Sequence, residues 1–442
     1  MKPSIRRASI PLLLAGALLG GCAYFTPVKQ APPESVRPPI DGTTGAARTA
    51  LWRADIDQCQ RLLQQKHAGL YTFVTPAQFD ADFDALRRDL PTLRDDQVVV
   101  RLKQITTRIG SGHTGVWPSR GELLSWRLPV DFRWDCDGVV VAAADPTAAS
   151  VRGGVVTAIG GKPIGAVLEA IATVTPHENQ WYLRFMGARS LREVQTLSGL
   201  GIVPPTGPVA IAVRFPDGRE ATAQLQPIAP GAPYAPQPAV DPAKAAVTRV
   251  PRPEARACGS RMLEEPRILY VWYDRCADAP GMSVAQFARE TLQAVDATRP
   301  RAVVVDLRRN GGGNSRLLEP LIDGLAARAW INAPDRLFVL IGPATFSSAG
   351  LNAEQFRSRT RASLVGEPTG QRPDSWMESR YDWLDNSLMQ VTYMLVAPDF
   401  GPQTPVAVVP DIPVPVTVAD DLAGRDAALD RILAATRAAP AP

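Results

Sequence analysis

Ala302-Val303-Val304-Val305-Asp306-Leu307-Arg308-Arg309-Asn310-Gly311-Gly312-Gly313-Asn314-Ser315 is the stretch from which the rest of the chain is best read. Its first half is an unbroken apolar run, the pattern of a strand buried on both faces, and its second half is a polar, glycine-rich turn. Two further segments repeat the form. Leu337-Phe338-Val339-Leu340-Ile341-Gly342 empties into Pro343-Ala344-Thr345-Phe346-Ser347-Ser348-Ala349-Gly350, and Ser363-Leu364-Val365-Gly366 ends in Glu367-Pro368-Thr369-Gly370. Strand ends that each release small or polar residues are how a mixed α/β domain builds a site at the edge of its sheet.

Working outward, Ile268-Leu269-Tyr270-Val271-Trp272-Tyr273 and a helix from about Ser283 to Val295 give this domain a strand-helix-strand opening. Strands at Gln390 to Val396 and Val406 to Val409 and a helix over about Arg425 to Thr436 follow. Upstream, helices are expected over Ala46 to Lys66, from Thr75-Pro76 to Leu90, and from about Asp95 to Ile109. That helical unit exits into Gly110-Ser111-Gly112-His113-Thr114-Gly115. Between Gly115 and Gln226 the chain is strand-rich. Strands are expected at Leu123 to Val130 and Val139 to Ala143, with a hairpin closed by Asp217-Gly218. Gly153 to Ile164 resembles the core of a PDZ-like domain, which could add a peptide strand to its edge or act only as a spacer. Eight prolines between Pro227 and Pro253 mark a joint.

The chain of 442 residues has 45% apolar residues and a net charge of +4, enough for two or three cores. No basic run interleaved with aromatics is present, which argues against nucleic acid as a partner. With three histidines and no metal-ligand spacing among the cysteines, no metal is expected. The glycine run lacks a following Gly-Lys-Ser/Thr and does not satisfy Gly-x-Gly-x-x-Gly, so no nucleotide cofactor is expected.

Residues 1–22 read as a signal peptide, with a basic head at Lys2, Arg6 and Arg7 and an apolar run too short to span a bilayer. Leu19-Gly20-Gly21-Cys22 resembles the bacterial lipobox. That implies lipid attachment at Cys22 and a periplasmic protein anchored to the outer membrane, with residues 23–45 as tether. In that oxidising compartment the remaining Cys59, Cys136, Cys258 and Cys276 are compatible with two disulfides in any of three pairings.

The three motifs together, Asp306 to Gly313, Thr345 to Ala349 and Gly366 to Gly370, resemble those of the S41 peptidases in order and spacing. This is the superfamily of the C-terminal processing (tail-specific) proteases, with tricorn-like and retinoid-binding-protein-like branches. The resemblance covers roughly Leu51 to the C-terminus. It implies a mixed α/β multidomain protein: a small N-terminal helical domain (46–112), a PDZ-like domain (113–226), a Pro-rich linker (227–253) and a ClpP/crotonase-like catalytic domain (254–442). It also implies a serine-type peptidase acting on peptide or protein substrates through an acyl-enzyme. The same architecture persists without proteolysis in the retinoid-binding relatives, so an inactive scaffold lipoprotein with an envelope protein partner is the alternative.

Carried over by position, the nucleophile falls on Ser347, with oxyanion donors from the N–H groups of Gly312 (or Gly311) and Ser348. The lysine base of the tail-specific proteases is absent. Arg372 stands at or beside that step, and a guanidinium cannot accept a proton. Gly110-Ser111-Gly112-His113-Thr114 resembles the histidine motif of the tricorn-like branch, which makes His113 the expected base. Glu378 is the expected third member, ahead of Asp374 and Glu367. Glu367 could instead accept hydrogen bonds within its own turn. His67 is expected to be structural or to line the cleft, and His177 to lie at the surface.

Overall fold

The apolar runs that opened the sequence reading lie side by side in one sheet. In a computed structural model describing residues 32–33, 35–240, 256–401 and 403–438, six strands run in the order Ile412–Pro413, Ser363–Gly366, Leu337–Ile341, Ala302–Asp306, Ile268–Tyr273 and Cys258–Leu263. The first five are mutually parallel and only Cys258–Leu263 runs antiparallel. Both faces are covered, so the strands have no polar side. Val303, Val305 and Val339 point into a core with helices Val284–Thr298, Glu319–Ala326 and Ser348–Arg359. Ala302, Val304 and Phe338 face the other way, onto Leu429, Ile432 and Leu433 of the C-terminal helix Ala427–Ala438. Arg308 clamps this side by pairing with Asp306 at 2.6 Å and Asp426 at 2.8 Å. The expected strand at Val406 to Val409 is irregular backbone.

The helical unit forms as its periodicity predicts: Gly45–Lys66, Pro76–Asp89 and Asp95–Thr107. Thr75 caps the second through a reciprocal box with Gln78. Its core, however, is completed from the far end of the chain. Leu384, Met389, Val391 and Tyr393 pack among Trp52, Phe83 and Leu86. They lie in or beside the hairpin Met377–Trp383 and Gln390–Val396, whose second strand pairs antiparallel with Gly115–Trp117. The expected borders at 113 and 254 therefore cut across a sheet. Strand 115–117 stands with the helical unit, and a hairpin from beyond Gly370 crosses to it.

The middle unit is an antiparallel sheet in the order Val130–Asp135, Gly138–Ala144, Val155–Ile159, Val209–Arg214 and Glu220–Leu225. Its hairpin turns at Gly218, with φ 86°. The strand expected over 123–130 is not formed: a short helical turn, Gly121–Leu123, is followed by irregular backbone, and the strand begins only at Val130. Two helices the sequence reading did not anticipate, Gln180–Ser190 and Val194–Gly199, fall in sequence between the paired strands Val155–Ile159 and Val209–Arg214. The first lies against strand Val130–Asp135, where a side chain at Gly187 would collide with Trp134 at 2.9 Å.

All four described cysteines are free. Cys59 is buried in the helical core and Cys258 and Cys276 beneath the large sheet, while Cys136 is exposed, so the expected disulfides are not formed. No described helix is long and apolar enough to cross a membrane. Cys22 and the signal segment lie outside the described residues.

Candidate active site

Strand Leu337–Ile341 ends, turns, and starts helix Ser348–Arg359 at a single residue, Ser347, whose backbone sits at φ 54° and ψ −130°. A side chain with a Cβ reaches that region only at a cost of order 1–3 kcal/mol, which surrounding structure must offset. Here three bonds hold the turn. Thr345 Oγ1 donates to the Leu307 carbonyl at 3.0 Å, the Phe346 N–H donates to the Asn310 carbonyl at 3.1 Å, and the Gly370 N–H donates to the Thr345 carbonyl at 3.1 Å. The result is a serine at the tip of a strand-to-helix elbow, the placement by which hydrolases present a nucleophile.

The glycine run reaches the serine from the neighbouring strand. A Cβ on Gly312 would lie 2.6 Å from the Ser347 Cβ and 3.1 Å from its Oγ, and Gly312 has φ 109°. Glycine is required here both for conformation and for approach. The Gly312 N–H is not free, however: it donates to Asn310 Oδ1 at 2.9 Å. The first-choice oxyanion donor is thereby corrected, because that N–H is already committed. Among the described residues the Gly311 N–H and the Ser348 N–H have no acceptor. The Ser347 N–H is donated to Gln371 Oε1.

His113 arrives from the front of the molecule. Its ring lies 4.4 Å, centroid to centroid, from Phe346, the residue just before the serine. Phe346 in turn stacks on Tyr182 at 3.9 Å with nearly parallel rings. Gly112 permits the approach, since a Cβ there would meet Phe346 at 2.8 Å. The His113 Nδ1 is buried without a partner, and among the described residues no hydrogen bond joins the ring to the Ser347 hydroxyl. Burial pushes the imidazole down to about 4, so it is neutral at physiological pH.

Behind His113 stands a carboxylate that sequence reading did not single out. Glu178 is buried and accepts from the Gly112 N–H at 3.3 Å, the Arg372 N–H at 3.2 Å and Ser375 Oγ at 2.6 Å. Burial pushes it up to about 7, against the opposing pull of those bonds and of the Arg372 charge. It ties the His113 loop to the segment after Gly370. The only signal for it in the sequence was an acid within Pro176-His177-Glu178-Asn179, outside every motif.

Glu378 does not take the place expected of it. Its side chain is 62% exposed on an outer strand, 3.7 Å from Arg380, and it makes no bond to the His113 ring. The reason is geometric, because the hairpin it opens runs away toward the helical unit. Asp374 is exposed, also with positive φ. Glu367 is buried and paired with Arg184 at 3.3 Å, a structural placement. Arg372 lies over the rings of Phe73 and Phe400 at 5.6 and 5.1 Å. Asn310 and Gln371, to which sequence reading gave no role, each hold a backbone N–H at the serine: Asn310 that of Gly312 and Gln371 that of Ser347.

His67 is buried beside the site. Its Nδ1 faces the Ala68 carbonyl at 2.9 Å, so it must carry the proton, and Nε2 therefore accepts from Thr114 Oγ1 at 2.7 Å. His177 is half-buried, with Nδ1 at 2.7 Å from the Thr175 carbonyl. Among the described residues no cluster suits a metal ion.

No protein-family model matches this sequence, and no curated protein matches it. Solved structures do. Mature CPAF is similar at 15% identity with a TM-score of 0.62, covering 87% of this chain and 96% of that one. Mature CPAF complexed with lactacystin is similar at 14% identity and a TM-score of 0.61, over 87% and 98% of the two chains. The photosystem II D1 C-terminal processing protease aligns over 87% of this chain and 99% of that one, at 14% identity and a TM-score of 0.37. The chain has a mixed α/β multidomain fold similar to that of mature CPAF.

Proposed function

We propose that this protein is a serine peptidase that cleaves peptide bonds through an acyl-enzyme, with Ser347 as nucleophile and His113 as general base. The observation that carries the reading is the elbow: a serine in a costly backbone conformation, fixed from several sides, with a neutral imidazole packed on the residue before it. Neutral His113 has a lone pair to take the serine proton and, once protonated, can return it to the leaving amine. For the transfer the ring must close onto Oγ, a tightening common when substrate fills an empty site. The free N–H groups of Gly311 and Ser348 are the donors for the oxyanion, with Gly312 shaping the approach. Glu178 positions the histidine through the loop backbone, without touching the ring.

A fluorophosphonate probe tests this directly. Wild-type protein is expected to be labelled, Ser347→Ala not at all, and His113→Ala at least about a thousandfold more slowly. Equal labelling of wild type and Ser347→Ala would remove Ser347 from the role. We further propose, on the Leu-Gly-Gly-Cys segment, that Cys22 bears lipid and holds the protein at the outer membrane. Metabolic palmitate labelling that survives Cys22→Ala would contradict it.

A further inference from the structure

Beside the His113 loop and Arg372 lies an aromatic platform that the proposed chemistry does not use. Phe73 is 51% exposed. Its ring presses on the Cα of Gly110, three residues before His113, where a Cβ would lie 2.5 Å away. Phe400 stands 6.0 Å from it, centroid to centroid. Buried Trp376 forms the floor, 6.0 Å from Phe73 and 5.5 Å from Phe400, and is pinned by its indole N–H donating to the Ala68 carbonyl.

Arg372 lies over both outer rings and follows directly on Gln371, which holds the nucleophile's N–H. Among the described residues no carboxylate lies at ion-pair distance from its guanidinium. Glu178, close enough to feel the charge, is buried and engaged with the backbone and Ser375. Asp374 and Asp399 are exposed at the same rim, linked to each other through the backbone. A guanidinium attracted to aromatic faces keeps N–H groups free for a partner, in the fork geometry that matches a carboxylate. Contact with two rings also restricts the side chain, so less freedom is lost when it binds.

We propose that Arg372, held by Phe73 and Phe400, is a specificity-determining subsite that takes a carboxylate of the peptide substrate. The proposal rests on the peptidase reading, because it supposes a peptide lying across Ser347. The carboxylate has two sources, an acidic side chain or the peptide's own C-terminus, with the same chemistry.

The test uses the full folded chain carrying Ser347→Ala, so that bound peptide is not turned over. Fluorescent peptides are compared by anisotropy as twins in which Glu at each position in turn is replaced by Gln, each with a free or an amidated C-terminus. At least one acidic peptide is expected to bind about tenfold more tightly than its neutral twin. That preference should vanish in Arg372→Gln, fall as salt rises, and persist in part in Arg372→Lys. Preference kept in amidated peptides identifies a side chain, and preference confined to free termini identifies the C-terminus. Phe73→Leu should reduce the preference without changing the neutral twin. A preference that survives Arg372→Gln, or no preference anywhere in the panel, overturns the subsite. Peptide hydrolysis by wild type without charge preference leaves the peptidase standing and removes the subsite. Charge-selective binding with no hydrolysis and no probe labelling does the reverse.

Discussion

Two histidines, at 67 and 113, meet the same loop, one bonded to Thr114 and the other its neighbour, and burial depresses both to about 4. In every other respect they differ. His67 has both nitrogens satisfied, one by a carbonyl and one by the hydroxyl of Thr114, the residue next to His113. His113 has a buried nitrogen with nothing to bond, and its ring lies against the residue before Ser347. An imidazole with both nitrogens spent can only hold a loop in place. One left bare in a water-poor site carries an unmet desolvation cost, which binding or proton transfer can relieve. On the proposed mechanism the first supports and the second acts, and depressed basicity alone does not separate them.

The sharpest way to break this contrast is kinetic. His113→Ala should cost at least about a thousandfold in probe labelling, whereas His67→Gln should leave labelling within about tenfold of wild type. Comparable losses in both would mean that neither ring is special. Next comes the pH profile. If neutral His113 is the base, labelling should rise with pH through about 4 and stay level toward neutrality, because the ring is already deprotonated there. A rise centred near the ordinary histidine value would show that burial does not govern the ring.

Stability against pH sets the histidines apart from Glu178. His67 binds its proton more weakly folded than unfolded, so between about pH 4 and 6.5 the unfolded chain holds more protons. Its contribution is therefore present above the ordinary histidine value and lost as pH falls through about 4. Denaturation of His67→Gln against pH should show a slope flattened by up to about 3 kcal/mol across that window. Glu178 runs the other way. Its folded value is raised to about 7, so its contribution is present below the ordinary carboxyl value and lost as pH rises through 7. Glu178→Gln should gain about 1–3 kcal/mol relative to wild type between pH 5 and 8, while labelling slows as the His113 loop loosens. The smallest effect is expected for Gln371→Ala, which frees the Ser347 N–H and should alter labelling by less than about tenfold.

Much of the large sheet was readable because buried parallel strands carry no polar face. Val303, Val305 and Val339 announce themselves, and the residues at their ends can be named without knowing the fold. Helices at 45–66, 76–89 and 95–107 were readable for the same reason, one apolar stripe each. The hairpin that completes the front unit was not. Its strands have an ordinary pattern, and nothing in Leu384, Met389 or Tyr393 says that they belong with Trp52 and not with the sheet next to them. Helix Gln180–Ser190 was missed because its polar and apolar residues do not segregate cleanly. With it went the preceding loop that carries Glu178.

The sequence by itself determined the local chemistry: which serine stands at a strand end, which glycines allow close approach, and that arginine, not lysine, follows Gly370-Gln371. Those facts depend on residue type and on neighbours within a few positions. Only the tertiary structure decided partners. It showed that the Gly312 N–H is engaged, that Glu378 faces solvent while Glu178 lies behind the histidine loop, and that Arg372 lies over two rings with, among the described residues, no carboxylate at ion-pair distance from its guanidinium. The reason is distance along the chain. A contact between residues hundreds of positions apart leaves no periodicity or spacing in a single sequence, because it is set by how whole units pack.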